Sequence, residues 1–456
     1  MKNIITEDTI VALSTPSGVG AIGVIRLSGP QAISICEKIM PALKLKEAVS
    51  HTLHFGLVMD GKEVVDEAVA GIFKAPKSYT CQDVVEISCH GSAFIIQKVL
   101  QLLIKNGARP AKPGEFTMRA FLNGRFDLSQ AEAVSDLIAS ESEAAHHIAM
   151  NQMRGGFSGE LKQLRQKLMD FASLLELELD FSEEDVEFAN KGQLVGLLTD
   201  MQGKIEKLSE SFRLGNVLKN GVATVIAGRP NAGKSTLLNS LLNEERAIVS
   251  NIPGTTRDTI EEVISINGIA FRLTDTAGIR HAADIIEREG VERTMQKIKQ
   301  AAIVLYLFDA DTMSAADVLA DMKKLGNVDS IEVIPIANKI DLTDSINKFK
   351  NIPNLLYISA RSGQGIEELK NHLYNAALQG ATMQESVVLT NSRHYEALQL
   401  TLQNLANAKK GIENKLSGEL VASDIRSALA HLGEITGEVT TDDLLGNIFS
   451  RFCIGK

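Results

Sequence analysis

Several things are scarce in this chain of 456 residues. Cysteine occurs four times, at 36, 81, 89 and 453, with no CxxC and no metal-ligand spacing. That excludes a disulfide scaffold and points to a reducing compartment. No apolar run reaches the roughly 18 residues a transmembrane helix requires; the longest, residues 301–308, is strand-length. Glu7 and Asp8 stand where a signal peptide needs an apolar core. A cytoplasmic protein with no membrane attachment is expected. Positive charge is short as well: 47 Lys+Arg face 57 Asp+Glu, a net charge of −10. The chain is therefore a poor candidate for coating nucleic acid by bulk charge, although a local basic patch escapes that argument. What is present is ordinary globular material, 44% hydrophobic and 23% charged. The length is enough for about three domains.

The negative charge is not spread evenly. Residues 1–125 carry a net +3, residues 216–378 a net −2, and the remainder a net −11. The first segment reads as mixed α and β, with short apolar strands at 9–13, 22–27 and 84–88 and a helix at 93–104 that stops before Asn106-Gly107. Cys81 and Cys89 read as core strand residues. From about 128 to 214, Leu161, Leu164, Leu168, Phe171, Leu175 and Leu179 recur at helical spacing, and Leu398, Leu402, Leu405 and Ala408 do so later. Between these stretches strands and helices alternate. The pattern is that of an α/β domain inserted into a helical one, whose two parts pack together to cover their apolar faces.

The inserted segment carries the chemistry. Gly228-x-x-x-x-Gly233-Lys234-Ser235 follows the apolar run 222–227 and precedes an apolar helix, the context a phosphate-binding loop requires. The candidate cradle runs through Asn231, Ala232, Gly233, Lys234, Ser235 and Thr236. Its amides and the helix N-terminus direct partial positive charge at phosphate. Lys234 reaches the β and γ phosphates and Ser235 holds Mg²⁺. Asp275-Thr276-Ala277-Gly278 follows a strand, placing a carboxylate near Mg²⁺ and a glycine amide near the γ-phosphate. Asn338-Lys339-Ile340-Asp341 also follows a strand. The Asp341 carboxylate can accept from guanine N1–H and its amino group, a pattern adenine lacks. Ser359-Ala360-Arg361 brings an alanine amide toward guanine O6. Thr256, in Gly254-Thr255-Thr256-Arg257-Asp258, is the candidate switch threonine completing Mg²⁺ coordination. Ile279 occupies the place where many GTPases carry a water-orienting glutamine. Glu287 is the nearest suitable carboxylate, either acting through a second water or serving as a solvated charge at a helix start.

The order GRPNAGKS, GTTRD, DTAGIR, NKID resembles the MnmE (TrmE) family of tRNA-modification GTPases. So do TPSGVGAIGVIRLSG, PGEFTMRAFLNGRFDLSQAEA and the terminal Cys453-Ile454-Gly455-Lys456, and the likeness covers essentially the whole chain. It implies an α/β and α architecture: an N-terminal α+β domain over 1–125, a discontinuous helical domain over 126–215 and 379–456, and an inserted Ras-like P-loop GTPase domain over 216–378 with a mostly parallel sheet. The N-terminal domain would bind 5-formyltetrahydrofolate through Arg26, Glu86, Arg125 and Lys456, and mediate homodimerisation. K⁺ would be held by the Asn231 side chain and by backbone oxygens of Ser250, Ile252 and Thr255, with Ser250, Thr255 and Thr256 also meeting GTP. The family's catalytic glutamate falls on Glu287. Cys453 matters to modification in a role the motif does not define. With the flavoprotein MnmG, in a heterotetramer, such a protein adds an aminomethyl or carboxymethylaminomethyl group to C5 of the wobble uridine in certain tRNAs. The competing reading is a regulatory or ribosome-assembly GTPase that only binds RNA. Such proteins usually append an RNA-binding module after the GTPase domain, whereas here an acidic helical segment follows.

Overall fold

A computed structural model describes residues 8–180, 191–245, 261–275, 298–325, 331–343, 346–378 and 388–455. The first part of the chain forms β1 (Ile10–Leu13), β2 (Ile22–Ser28), α1 (Ala32–Ile39), β3 (Thr52–Asp60), β4 (Glu63–Phe73), β5 (Val84–His90), α2 (Ala93–Lys105), β6 (Arg109–Pro110) and α3 (Glu115–Leu122). Its sheet has the order β3-β4-β5-β2-β1-β6, antiparallel except for the β1–β6 pair. Ile25, Leu27, Val85 and Ile87 turn one face of the sheet onto Ile35 and Ile39 of α1 and Val99 and Leu103 of α2. This alternation fits a sheet buried on one face.

The β3–β4 hairpin has no clear sequence signal, because β3 exposes Leu53, Phe55 and Leu57 rather than hiding its apolar positions. Its turn uses Gly61 at φ +63°, where a glycine carries no steric cost. Cys89 is a buried strand residue as expected. Cys81 is not in a strand: it sits in a turn at φ +59°, half-buried. Beneath β1, Arg119 is only 1% exposed and lies between Asp8 (2.5 Å) and Glu115 (3.0 Å), while Arg109 pairs with both carboxylates at 2.7 and 2.6 Å. A guanidinium this buried is tolerated only because carboxylates surround it. Burial pushes the Glu115 carboxyl up, but Arg109, the Lys112 amide and Arg119 outweigh it and hold the group below its ordinary range.

Helices follow: α4 (Leu128–Ile138), α5 (Glu143–Met153), α6 (Gly156–Asp180) and α7 (Lys191–Asn220). The inserted domain then supplies β7 (Val222–Ala227), α8 (Lys234–Glu245), β8 (Glu261–Ile266), β9 (Ile269–Asp275), β10 (Ile303–Asp309), α9 (Ala315–Leu325), β11 (Glu332–Asn338), β12 (Leu356–Tyr357) and α10 (Ile366–Leu378). Its sheet order is β12-β11-β10-β7-β9-β8, with every neighbouring pair parallel except β8–β9. β10 is the centre. Ile303 through Phe308 are all buried, as a parallel strand covered on both faces must be. The chain ends with α11 (Ser392–Glu413), α12 (Gly418–Thr436) and α13 (Asp442–Phe449).

α6 packs on α12, placing buried Leu161, Leu164, Leu168 and Phe171 in the same helical layer as Val421, Ile425, Ala428 and Leu432. The two helical stretches thus cover one another. Two compact units result, one holding residues up to Ser135, Gln152–Gln202 and Ala397 onward, the other Asp136–Asn151 and Gly203–Glu396. The second unit therefore contains more than the inserted domain. Ala144 of α5 and Leu214 and Leu218 of α7 join the core under β7 and β9, and the Ala144 amide donates to Gly268 O at 3.1 Å. No helix among the described residues is long and apolar enough to cross a membrane.

Candidate nucleotide and N-terminal sites

Parallel strands leave their carboxyl ends along one edge of the sheet, where loops can converge on a ligand. β7 delivers Gly228 there, and α8 begins at Lys234. The loop between them needs unusual backbone. Gly228 has φ +152°, Asn231 +63° and Gly233 +96°. A Cβ on Gly228 would lie 2.0 Å from Leu307 O, and one on Gly233 2.3 Å from Asn338 Nδ2, so both positions require glycine. Lys234 is buried and its Nζ donates to the carbonyls of Gly228 and Arg229, each at 3.0 Å. The ammonium is folded over the loop whose amides would receive phosphate. Ser235 and Thr236 are exposed in the first turn of α8, and Ala232 is buried beneath it. β9 runs through Asp275, which lies in register with Ile226 one residue before the end of β7.

Among the described residues, the segments at Asn338 and Ala360 meet the loop through the Asn338 side chain. Asn338, buried at the end of β11, donates from Nδ2 to Ala232 O at 2.8 Å and accepts at Oδ1 from the Ala360 amide at 3.0 Å. The Ala360 amide, expected to face the base oxygen, has Asn338 as its partner here. Lys339 takes φ +65° and its Nζ meets Asp309 Oδ2 at 2.7 Å. Burial raises the Asp309 carboxyl, but Lys339 and the Asp311 amide more than reverse this, so it is held low and charged. Asp341 is exposed in a short 3₁₀ turn over Ile340–Leu342, Ser359 is buried, and Arg361 is exposed. Asn231, Ala232, Gly233, Lys234, Ser235, Thr236, Asn338, Lys339, Asp341, Ser359, Ala360 and Arg361 thus belong to one compact unit. Ser250, Ile252, Thr255, Thr256, Thr276, Ala277, Gly278 and Glu287 lie outside the described residues. Arg229 and Asp309 were not singled out by the motifs. Only the position of Asp309 at the end of an apolar strand could have suggested it.

A second site forms in the N-terminal domain, a cavity of about 560 Å³ lined by Arg26, Glu86, Arg125, Tyr79, Ser78 and His51, among others. Arg26 on β2 and Glu86 on β5 are direct cross-strand partners, with Arg26 Nε and Nη2 each 2.8 Å from Glu86 Oε1. Arg125 donates to Ser78 O at 2.5 Å. Tyr79 lies between the two cations, with the guanidinium carbons of Arg26 and Arg125 at 5.2 and 5.1 Å from its ring centre. Its hydroxyl shares a 2.8 Å hydrogen bond with Thr117. Burial pushes the phenol up, against the Thr117 bond and the two nearby cations.

The far end of the chain reaches the same place. Gly455 O accepts from Arg26 Nη1 at 3.4 Å and from Ser14 Oγ at 3.3 Å. A Cβ on Gly455 would lie 2.3 Å from Leu13 O. The Gly114 amide donates to Cys453 O at 3.4 Å. Cys453 itself is exposed, and Lys456 lies outside the described residues. Arg26, Glu86 and Arg125 therefore do converge, although nothing in their own sequence surroundings announces it. Tyr79 has no sequence signal at all.

Fold and loop together define a P-loop GTPase domain inserted in a discontinuous helical domain behind an N-terminal α+β domain. A family model described as "GTP-binding protein TrmE N-terminus" matches residues 9–125, and one described as "MnmE helical domain" matches residues 128–453. Three relatives are each named tRNA modification GTPase MnmE. The protein from Cytophaga hutchinsonii is 55% identical over 451 residues, covering 98% of both chains. That from Christiangramia forsetii is 51% identical over 471 residues, covering 99% of both. That from Flavobacterium johnsoniae is 50% identical over 466 residues, covering 99% of this chain and 100% of its own. The chain belongs to the MnmE (TrmE) family.

Proposed function

We propose that this chain binds and hydrolyses GTP and takes part in the modification of the tRNA wobble uridine. The observation that carries the reading is Asn338, which ties the phosphate loop at Ala232 to the base-side loop at Ala360. Lys234 lies over that loop as the phosphate-seeking cation, and Asp341 stands exposed on the base side as the guanine-selecting carboxylate. Ser235, with Thr256, would hold Mg²⁺. Asn231, with Ser250, Ile252 and Thr255, would hold K⁺. Bound there, the two cations supply positive charge against developing phosphate charge. Glu287 orients the attacking water.

The N-terminal cavity suits a folate. Its paired Glu86 can accept from the amino and ring N–H groups of a pterin, and Arg26 and Arg125 can meet carboxylates or carbonyls. Lys456 completes the set, and 5-formyltetrahydrofolate supplies the one-carbon unit. The functional domains are 1–125, 126–215 with 379–456, and 216–378, acting as a cytoplasmic homodimer with MnmG. The net −11 of the helical segments suggests that MnmG provides much of the positive surface for tRNA.

The test is single-turnover GTP hydrolysis in K⁺ and in Na⁺, for the full chain and for Glu287→Ala. Strong stimulation by K⁺ is expected, with a loss of about 100-fold or more in Glu287→Ala at near-unchanged GTP affinity. Indifference to the cation, or an active Glu287→Ala, overturns the hydrolytic assignment. An unchanged wobble-nucleoside profile in cells lacking the protein overturns the tRNA assignment.

A further inference from the structure

The phosphate-loop motif assigns no task to Arg229, yet this residue is tied down on two sides. Its guanidinium leaves the loop for α9. Nε donates to Asp321 Oδ2 at 2.7 Å, and Nη2 lies 3.6 Å from Asp317 Oδ1. The same Asp321 oxygen accepts from the Tyr306 hydroxyl at 2.8 Å. Tyr306 lies on β10 in register with Ala227, the last residue of the strand that feeds the loop. Asp317 is fixed in turn by the Ser314 hydroxyl, 2.5 Å away at the start of α9. Burial and the hydrogen bond to Asp321 both push the Tyr306 phenol up, so it stays protonated at neutral pH. On its main-chain side, Arg229 O accepts from Lys234 Nζ at 3.0 Å. One residue thus joins the loop backbone, the phosphate-seeking lysine, a neighbouring strand and the acidic side of α9.

We propose that Arg229 is a positioning residue of the nucleotide site: with Asp321 and Tyr306 it clamps the first turn of the phosphate loop to α9 and slows nucleotide release. The physical need is clear. The loop is rich in positive-φ backbone at Gly228, Asn231 and Gly233, and a loop free to change shape must be ordered each time phosphate binds. The clamp does that ordering in advance. It also makes the position of α9 felt at the phosphates, because Asp317 and Asp321 lie one turn apart on that helix. A lysine cannot substitute, since one ammonium does not reproduce the guanidinium fork that reaches two carboxylates.

The inference rests on guanine nucleotide binding at this loop, so the full-length wild type is measured first with GDP bearing a fluorescent ribose label. No binding by wild type strikes that underlying assignment. Equal dissociation rates for wild type and Arg229→Ala strike only the clamp. The expected result is a dissociation rate raised about three- to tenfold in Arg229→Ala, given the half-exposed setting of the ion pair. Arg229→Lys should fail to restore it. Asp321→Asn should act alike, and the double variant should be no worse than the singles, because both remove one interaction. Additive effects, or rescue by lysine, overturn the proposal. If Arg229→Ala does not fold, Tyr306→Phe decides: a rise of about twofold supports the clamp, and a wild-type rate overturns it.

Discussion

The phosphate loop and the N-terminal cavity are built on opposite plans. The loop is eight consecutive residues, Gly228 to Ser235, and presents mainly backbone amides and one lysine. The cavity is lined by side chains from positions that include 26, 79, 86 and 125, and one of them, Arg26, also donates to the carbonyl of Gly455. A backbone site is specified by what its residues allow, namely glycine torsions and close approach. A side-chain site is specified by what its residues carry, and it exists only once sheet register and chain-end docking bring them together. The first tolerates few changes anywhere in its length. The second should fail one contact at a time.

The largest effect expected from this contrast is in Lys234→Ala. GTP turnover should fall about 100-fold or more, because the ammonium that donates to the loop carbonyls of Gly228 and Arg229 is lost. Folate affinity should stay at the wild-type value. Single-turnover hydrolysis and equilibrium folate binding check the pair, and a parallel loss of both would break the separation of the sites.

Next are two matched glycines. Gly233→Ala drives a Cβ to 2.3 Å from Asn338 Nδ2, and Gly455→Ala drives one to 2.3 Å from Leu13 O. Each also strains a positive-φ residue, at a cost on the order of 1–3 kcal/mol. The first should lower nucleotide affinity about tenfold and the second folate affinity by about as much. Titration calorimetry with both ligands on both variants would expose any crossover.

A smaller change follows from Arg26→Ala. It removes one guanidinium from the cavity but leaves Arg125 and the Tyr79 ring in place, so folate affinity should drop about tenfold while GTP hydrolysis by the isolated chain is unaltered. Undiminished binding of labelled folate would remove Arg26 from the site.

The smallest expected difference concerns acid. Glu115 in the N-terminal domain and Asp309 beside the nucleotide loop are both held below their ordinary values of 4.5 and 3.8. A depressed carboxyl stabilises the fold above its unfolded pKa, and that contribution disappears as pH falls through the folded value. Both regions should therefore weaken below about pH 4.5, beginning with Glu115. Glu115→Gln and Asp309→Asn should each be destabilised at neutral pH and show a flatter acid limb in circular-dichroism titrations. An unchanged limb in Glu115→Gln would show that Asp8 alone balances Arg119.

The same contrast explains what could be read in advance. The order of strands and helices around the phosphate loop was legible because β10 is apolar from Ile303 to Phe308, its neighbours β7 and β11 are mostly apolar, and the loop is local in sequence. The helical layer was legible from Leu161, Leu164 and Leu168. The β3–β4 hairpin was not, since Leu53, Phe55 and Leu57 point outward. The turn at Cys81 was not either, because a cysteine at positive φ has no local signature. Tyr79 and Arg229 act through partners far along the chain, so no window around them predicts their neighbours. Arg26, Glu86 and Arg125 were found only through the resemblance of long motifs, not through the residues that flank them.

Sequence by itself determined the phosphate loop, the Asn338-Lys339-Ile340-Asp341 motif, the two-part helical domain and the family. These depend on local torsion, periodicity and short spacing, which are properties of neighbouring residues. Tertiary structure alone decided that Asn338 links the two nucleotide loops, that Arg229 reaches α9, and that Gly455 docks where Arg26 meets Glu86. It also decided that α5 and the end of α7 pack with the inserted domain. Each of these joins segments far apart in sequence, and such contacts exist only after strand register and core packing have set the distances.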